Sequence, residues 1–207
     1  MVDQTISPAP GFALWRAILR TSSSLLAFER YALMGLMWLL TALILINVVT
    51  RYTRFPLYWI DESAVYSVVW LTFIGASAMT RLRLDFAVTM ITENLSARNR
   101  KIAKVISTGL VVVFGVGLIV TCVLWMDPVG IARAGFDARK FAGATFNFLY
   151  TERTQTLNWP TWAVYLTLPV FAVSITIHGI ANLIEDIGLV PRTPIKGFQL
   201  SELDGVN

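Results

Sequence analysis

The fold is decided by residues 31–49, YALMGLMWLLTALILINVV, a run of 19 positions that contains no Asp, Glu, Lys or Arg. A helix needs roughly 20 apolar residues to cross the hydrocarbon core of a bilayer, which is about 30 Å thick. Three further stretches lack charged side chains in the same way, and they occupy residues 63–80, 105–126 and 161–182. The sequence therefore predicts an all-α integral membrane protein with four transmembrane helices.

The composition of the 207-residue chain agrees with this prediction. Apolar residues make up 56% of the chain and charged residues 14%, whereas soluble domains average about 45–50% and about 25%. This balance argues against a soluble globular protein, and it excludes disorder, which requires few apolar residues and high net charge. The net charge of +4 does not indicate nucleic-acid binding, because the basic residues flank the apolar stretches instead of forming a basic patch.

The distribution of Lys and Arg predicts how the chain is oriented in the membrane. If successive helices alternate in direction, 11 basic residues fall on the side of the two termini and six fall on the other side. Lys and Arg accumulate in cytoplasmic loops. We therefore expect both termini in the cytoplasm and the long loop, residues 127–160, in the periplasm.

Two cytoplasmic segments flank the predicted membrane domain, which covers residues 31–184. Residues 1–30 are expected to form a polar tail and then an amphipathic helix in the membrane interface, with Trp15 at the level of the lipid headgroups. A direct extension of the first span explains the same pattern equally well. Residues 185–207 are expected to form a poorly ordered tail.

Few side chains inside the predicted spans can perform chemistry. The chain has one cysteine, Cys122, and one histidine, His178, which excludes an intrachain disulfide, a zinc cluster of Cys and His, and a haem held between two histidines of this chain. We interpret Cys122 as a small apolar side chain. His178 either hydrogen-bonds a neighbouring helix or reaches towards the headgroups near Glu185 and Asp186, and the functional alternative is a proton relay or a pigment ligand. No cofactor is expected.

The first loop ends in an adjacent acidic pair, Asp61 and Glu62, at the start of the second span. Carboxylates are favoured there, because the N-terminus of a helix carries partial positive charge and unpaired N–H groups. Successive helix residues point about 100° apart, so this pair does not converge on one ion. We therefore expect the two carboxylates to cap the helix and to pair with Arg51 or Arg54.

Small and hydroxyl side chains form a stripe along the second span, with Ser67 and Ser77 among them. Such residues let helices approach closely in lipid, so we predict that this stripe packs against another helix. Pro169 predicts a kink at mid-depth in the fourth span. The loop at 127–160 is too rich in aromatic residues for a free linker, and we expect it to fold back on the membrane or to contact a partner; these residues are Phe136, Phe141, Phe146, Phe148 and Tyr150.

These features favour a subunit that holds another protein over a carrier or an enzyme. An ion-coupled carrier needs ionisable groups or broken helices at mid-membrane, which replace the hydration shell of the solute that it moves. The spans offer only Asn47, His178 and Pro169, and no cofactor fingerprint is present. We therefore expect a non-catalytic membrane subunit.

Three motifs follow one another along the first half of the chain: NVVTRY at residues 47–52, WIDE at 59–62 and WLTFIGASAMTR at 70–81. In this order they resemble the small membrane subunit of tripartite ATP-independent periplasmic (TRAP) transporters, the DctQ-like family. In that family an Asn-Val and an Arg-Tyr end the first helix and a Trp precedes two acidic residues, while a Trp, a Phe, a Gly-Ala pair and an Arg follow along the second helix. The matching residues of this chain are Asn47, Val48, Arg51, Tyr52, Trp59, Asp61, Glu62, Trp70, Phe73, Gly75, Ala76 and Arg81. The family often has a His four residues after that Arg and an Asp four further on, where this chain has Asp85 and Thr89.

The resemblance implies a three-component uptake system for organic acids or similar solutes in the bacterial inner membrane. The large permease subunit carries the substrate and sodium sites, and a periplasmic solute-binding protein delivers the solute. The small subunit acts as a scaffold for the large one and helps to form the periplasmic docking face. We hypothesise that five residues organise the periplasmic end, namely Arg51, Arg54, Trp59, Asp61 and Glu62. Three others are expected to face the large subunit, namely Ser67, Trp70 and Ser77.

A second hypothesis makes the chain a structural or assembly subunit of another membrane complex, such as a photosynthetic or respiratory one, that reuses a small-permease-like fold. Adjacent genes for a large permease and a binding protein would favour transport, and their absence would favour this second hypothesis. A third, an intramembrane enzyme or haem protein, requires that a cofactor copurify with the chain.

Overall fold

The computed structural model describes residues 12–84 and 96–192, and most of these residues are helical. The described helices are α1 (Phe12–Tyr52), α2 (Tyr58–Leu82), α3 (Ala97–Met126), α4 (Pro128–Arg133), α5 (Ala138–Thr145), α6 (Thr161–Tyr165) and α7 (Thr167–Ile187). Within these two ranges the β-structure is limited to one isolated bridge between Arg153 and Pro160. Asp85, Thr89, the first 11 residues and most of the predicted C-terminal tail lie outside the described residues.

Four segments of the described chain are long and apolar enough to cross a membrane. They contain α1, α2, α3 and the pair α6–α7, and each includes one of the charge-free stretches found in the sequence. The prediction of an all-helical chain with four candidate spans is therefore confirmed.

The first span continues without interruption into the residues that precede it. α1 has 41 residues, which corresponds to about 60 Å at 1.5 Å per residue, twice the thickness of the hydrocarbon core. The expected interfacial helix before residue 31 is therefore not formed as a separate element, and the chain adopts the direct extension that the sequence also allowed. The physical reason is packing, because Leu19 and Leu26 of this extension are buried against α7 and α2, respectively.

α7 lies at the centre of the bundle, because it contacts α1, α2 and α3. Within the most apolar part of its span 44% of the residues are buried, compared with 6% for α1 and 17% for α2 and α3. Most residues on the buried face of α7 are small or carry hydroxyl groups, which let neighbouring helices approach closely; they include Ala172, Ser174, Thr176, Gly179 and Ala181.

The last span is interrupted just before its proline. α6 ends at Tyr165 and α7 begins at Thr167, so Pro169 lies in the first turn of α7. A missing N–H costs no helical hydrogen bond at that position. The predicted mid-depth kink is therefore replaced by a break between two helices near the start of the span.

The loop at 127–160 forms a folded cap over the end of the bundle where α2 begins. We call this end of the bundle the loop end and the other end the opposite end. Asn147 and Tyr150 donate hydrogen bonds of 2.7 Å to the carbonyl oxygens of Trp125 and Met126 at the end of α3. These two carbonyls have no partner within the helix. Burial raises the pKa of the Tyr150 phenol, and the Asp127 carboxylate raises it further, so the phenol keeps its donor proton at neutral pH.

The aromatic residues of the loop divide into an inner and an outer group. Phe141 is 2% exposed and packs edge-to-face against Tyr150, with ring centroids 5.7 Å apart. Phe136 and Phe146 are 76% and 81% exposed. The inner group is covered by the chain itself, while the outer group stays on the surface of the loop end, so the contact of the loop with the membrane or a partner stays a prediction.

Gly115 controls how closely α3 approaches α7. A β-carbon at Gly115 would lie 2.3 Å from Thr176 Oγ1 and 3.3 Å from Thr176 Cα, whereas a β-carbon at Gly117 would meet no atom within 4 Å. Thr176 cannot turn aside freely, because its hydroxyl donates to Ala172 O over 2.6 Å.

We expect Gly115→Ala to destabilise the protein by about 1–3 kcal/mol, which lowers the unfolding midpoint by about 2–4 °C per kcal/mol. Gly117→Ala gains the same helix propensity without the collision, so its midpoint should stay the same or rise. Thermal unfolding of the two purified variants in detergent checks the difference. Equal midpoints would contradict this packing.

Candidate functional site

At the loop end, three motif residues join the end of α1 to the start of α2. Asn47 Nδ2 donates to Asp61 Oδ1 over 2.6 Å, and Asn47 Oδ1 accepts a hydrogen bond of 3.0 Å from Arg51 Nε. Arg51 Nη2 lies 2.8 Å from Asp61 Oδ2, so the predicted pairing of Asp61 with Arg51 is confirmed. The side chains of Arg51 and Asp61 are 60% and 46% exposed, so water screens the pair and limits its contribution to about 1 kcal/mol or less.

Glu62 bonds to different partners from its neighbour. Its carboxylate accepts hydrogen bonds of 2.8–2.9 Å from the backbone N–H groups of Gln155, Thr156 and Leu157, and another from the Thr156 hydroxyl. Tyr66, one turn further along α2, donates its hydroxyl to the same carboxylate over 2.9 Å. We call this arrangement the Glu62 clasp. It holds the loop against α2 through one side chain.

The expected capping of α2 by the acidic pair is wrong. The N-cap residue is Leu57, and no side chain bonds to the free N–H groups there. Asp61 lies in the first turn, where the helix dipole favours its negative charge. Its hydrogen bonds nevertheless go to α1, and those of Glu62 go to the loop and to Tyr66, because these partners lie within reach once the helices have packed.

The aromatic motif residues occupy the surface of the molecule. Tyr52 and Trp59 are 86% and 42% exposed at the loop end, where amphipathic rings fit the boundary between lipid and water.

Trp70 lies further along α2, where two apolar grooves meet, and Leu36 and Leu39 of α1 line both grooves with it. The grooves have volumes of about 540 Å³ towards the loop end and about 420 Å³ towards the opposite end.

Two serines of the stripe along α2 are covered by the chain itself, whereas Ala76 of the third motif is exposed. Ser67 and Ser77 are 6% and 0% exposed, and Ser67 donates to Ser63 O of its own helix over 2.8 Å. Ser67 lines the groove towards the loop end and Ser77 lines the other groove, so the expectation that they face the large subunit stays a prediction. Gly75 lies against α1, since a β-carbon there would be 3.8 Å from Leu33 Cδ2.

At the opposite end, Arg81 forms a buried bidentate ion pair with Glu185 of α7. Arg81 Nη2 lies 2.8 Å from Glu185 Oε1, Nη1 lies 3.0 Å from Oε2, and both side chains are 2% exposed. Arg81 Nη1 also donates to Asn182 Oδ1, and Asn182 Nδ2 donates to Thr80 O over 2.7 Å. The arginine that ends the third motif therefore ties α2 to α7, about 30 Å along α2 from Asp61.

Arg83 extends the same network to a third helix. Its Nη1 lies 2.6 Å from Asp186 Oδ1, and its Nη2 lies 3.3 Å from Glu185 Oε2 and donates to Asn182 O over 3.0 Å. The second oxygen of Asp186 accepts a hydrogen bond of 2.9 Å from the hydroxyl of Thr108 on α3. Because each charge has an opposite partner, the network avoids the cost of an unpaired buried ion.

A second buried cluster joins α7 to α1. His178 is 0% exposed, and its Nδ1 and Nε2 lie 2.8 Å from Ser22 Oγ and 3.1 Å from Glu29 Oε2. The interpretation of His178 as a side chain that hydrogen-bonds a neighbouring helix is confirmed. It does not bond to Glu185 or Asp186, which are engaged with the arginines of α2.

The geometry so far is that of a helical membrane domain whose polar side chains link helix to helix. Among residues 12–84 and 96–192, no group of three His, Cys, Asp or Glu side chains could hold a metal ion. A family described as Tripartite ATP-independent periplasmic transporters, DctQ component, matches residues 40–189, more than half of the chain. The chain belongs to this family. No curated protein and no solved structure gives a significant match.

Membership in the DctQ family makes this chain a small permease subunit of a TRAP transporter and a multi-pass protein of the inner membrane. All three sequence motifs, the Glu62 clasp and the Arg81–Glu185 pair lie within the matched residues. Ser22 and Glu29, the partners of His178, precede them. The link between α7 and the extension of α1 therefore lies partly outside the segment that defines the family.

Several residues that hold these clusters together were not predicted from the sequence. Two of them could have been found in the sequence. Glu185 and Asp186 follow the fourth span, and they lie on the same side of the membrane as the arginines that follow the second span. Opposite charges at neighbouring helix ends attract when the helices pack. No local pattern singled out Glu29, whose role depends on a histidine 149 residues away, or the loop backbone that Glu62 holds.

We expect Arg81→Gln to lower the free energy of unfolding by about 3 kcal/mol, because Glu185 loses its bidentate partner in a buried site. This is the lower end of the range for a broken buried pair, since Arg83 still contacts the same carboxylate. The double variant Arg81→Gln/Glu185→Gln should be less destabilised than the sum of its single changes. Chemical unfolding in detergent measures all three.

The matched control is Arg51→Gln, which makes the same change in the exposed pair at the loop end and should cost no more than about 1 kcal/mol. If Arg51→Gln and Arg81→Gln destabilised the protein equally, the difference in burial would not matter and the ion pair would not hold α2 to α7.

Proposed function

We propose that this chain is the small, non-catalytic subunit of a TRAP-type secondary transporter that takes up an organic acid or a similar solute. In this proposal it serves as a scaffold for the large permease subunit and helps to dock the periplasmic solute-binding protein. The Glu62 clasp is the observation that carries the docking role, because it holds a folded loop in one position relative to the membrane helices.

The proposed orientation puts the loop end in the periplasm and both termini in the cytoplasm. It rests on the excess of Lys and Arg on the side of the termini, 11 against six, since basic residues accumulate in cytoplasmic segments. In this orientation the folded cap faces the compartment in which the solute-binding protein resides.

The surface proposed for the large permease subunit is the pair of apolar grooves on either side of Trp70. Trp70, Leu36 and Leu39 line both grooves and lie where they meet. Tryptophan residues in pockets contribute strongly to protein–protein affinity, because they bury a large area with little loss of side-chain freedom. A helix of the large subunit that packs along α2 would cover this ring.

The surface proposed for the solute-binding protein is the outer face of the loop. Phe136 and Phe146 both have left-handed backbone conformations, with φ of 59° and 57°, and both rings project from the ends of short helices. Arg139 and Lys140 on α5 are exposed between them. The combination of exposed aromatic rings and positive charge suits a partner with an acidic, partly apolar surface.

A scaffold role without catalysis agrees with the state of the buried ionisable groups. Arg81, Glu185 and Asp186 are held by ion pairs, and His178 and Glu29 bond to each other. A catalytic acid or base has to face a bound substrate within hydrogen-bond distance. These five side chains face other helices of the chain.

The contact with the large subunit is tested by coexpressing the chain with the large permease from the same genome and purifying it in mild detergent. We expect Trp70→Ala to reduce the copurified large subunit by at least about tenfold, equivalent to about 1.4 kcal/mol. Trp38→Ala is the control, because Trp38 is 77% exposed and lines neither groove. Recovery of another membrane complex in place of a permease would instead support the second hypothesis.

The docking role is tested by solute uptake into vesicles that contain both membrane subunits, at limiting concentrations of binding protein. Glu62→Ala should release the loop and lower uptake by at least about fivefold. The released loop would have to be ordered before docking, at a free-energy cost of about 1 kcal/mol. Glu152→Ala removes an exposed carboxylate from the same loop and should leave uptake unchanged. The large subunit should copurify normally with both variants. Unchanged uptake with Glu62→Ala, or equal losses with both variants, would refute the proposal.

A further inference from the structure

A basic pocket lies at the opposite end of the molecule, between the start of α1 and the chain that follows α7. It has a volume of about 650 Å³ and is lined by Arg16, Arg20, Ser24 and Arg192 together with apolar residues. Arg20 and Arg192 are exposed, whereas Leu19 and Val190 beneath them are buried. The pocket therefore combines three guanidinium groups with an apolar floor.

The charges of Arg20 and Arg192 are not neutralised by the acidic residues that the structure describes near them. Glu29 is bonded to His178, and Glu185 and Asp186 are bonded to the arginines of α2. Within residues 12–84 and 96–192, neither Arg20 nor Arg192 forms an ion pair with a carboxylate. Burial of the carboxylates leaves arginines at the surface of this end.

The pocket lies at the depth of the lipid headgroups. Leu19 packs against Ala181 and Ile184, which is the level at which the charge-free stretch of the fourth span ends. Arg20 is the next residue on α1, and Arg192 follows the end of α7 closely. Arginine side chains at such a level bury their methylene groups along apolar surface and direct the guanidinium towards phosphate.

We propose that this pocket binds the phosphate group of an anionic phospholipid and so attaches the extension of α1 and the end of α7 to the membrane surface. Basic pockets between helices on the cytoplasmic side recognise such headgroups by charge-assisted hydrogen bonds. The apolar floor formed by Leu19 and Val190 lies directly beside the guanidinium groups, which favours a lipid, with its apolar chains, over a free phosphate ion. This proposal rests on the proposed orientation, with this end in the cytoplasm, and does not depend on the proposed transporter partners.

The test measures lipid affinity of the purified full-length protein by native mass spectrometry, with phosphatidylglycerol and phosphatidylcholine that carry identical acyl chains. Wild type should prefer phosphatidylglycerol. Arg20→Gln/Arg192→Gln should lower the affinity for phosphatidylglycerol by about 25-fold, or about fivefold for each arginine, and leave that for phosphatidylcholine unchanged. Arg20→Lys/Arg192→Lys keeps the charge and should retain most of the affinity.

The control variant is Arg133→Gln/Arg139→Gln, which removes two exposed arginines from the loop end and changes the net charge by the same amount. It should leave the affinity for phosphatidylglycerol within about twofold of wild type, since the local field falls off within a Debye length of about 10 Å. Equal losses in both Gln double variants, or no loss in either, would overturn the proposal. Displacement of the lipid by inorganic phosphate at equal concentration would show a site for free phosphate and would also overturn it.

Discussion

The fold depends on the ion pair between Arg81 and Glu185. A guanidinium and a carboxylate that are both 2% exposed are tolerated in such a buried site only as a pair, because either one alone would carry the full cost of desolvation. This requirement holds the ends of α2 and α7 at one distance. α7 also contacts α1 and α3, and Thr108 of α3 bonds to Asp186. The ion pair therefore helps to fix the positions of all four spans relative to one another.

The two ends of the bundle are built for different tasks. At the opposite end a network of Arg81, Arg83, Glu185 and Asp186 is bonded across three helices, which holds the ends of these helices together. At the loop end Arg51 and Asp61 form an ion pair that water screens, and Glu62 holds the loop against α2. The two ends are therefore joined by pairs of very different burial.

Much of the architecture could be predicted because it depends on composition alone. Charge-free stretches of the right length predict spans, and the three motifs in order were sufficient to indicate the family. Predictions failed where a side chain had a choice of partners. Glu62 was expected to cap α2 and to pair with an arginine, but it bonds to a loop that lies 93–95 residues further along the chain. The interfacial helix was expected from an amphipathic pattern of apolar residues, and the structure shows that two of them, Leu19 and Leu26, are covered by protein.

The sequence by itself determined that this chain has four candidate membrane spans, each with a stretch of 18 or more residues free of charge, because the bilayer selects directly on hydrophobicity and length. It also determined the family, through residues whose spacing is readable without a structure. Only the tertiary structure decided which polar groups pair. Hydrogen bonds and ion pairs need atoms within about 3 Å of each other, and His178 with Glu29, Arg81 with Glu185 and Glu62 with Thr156 come that close only after the helices have packed.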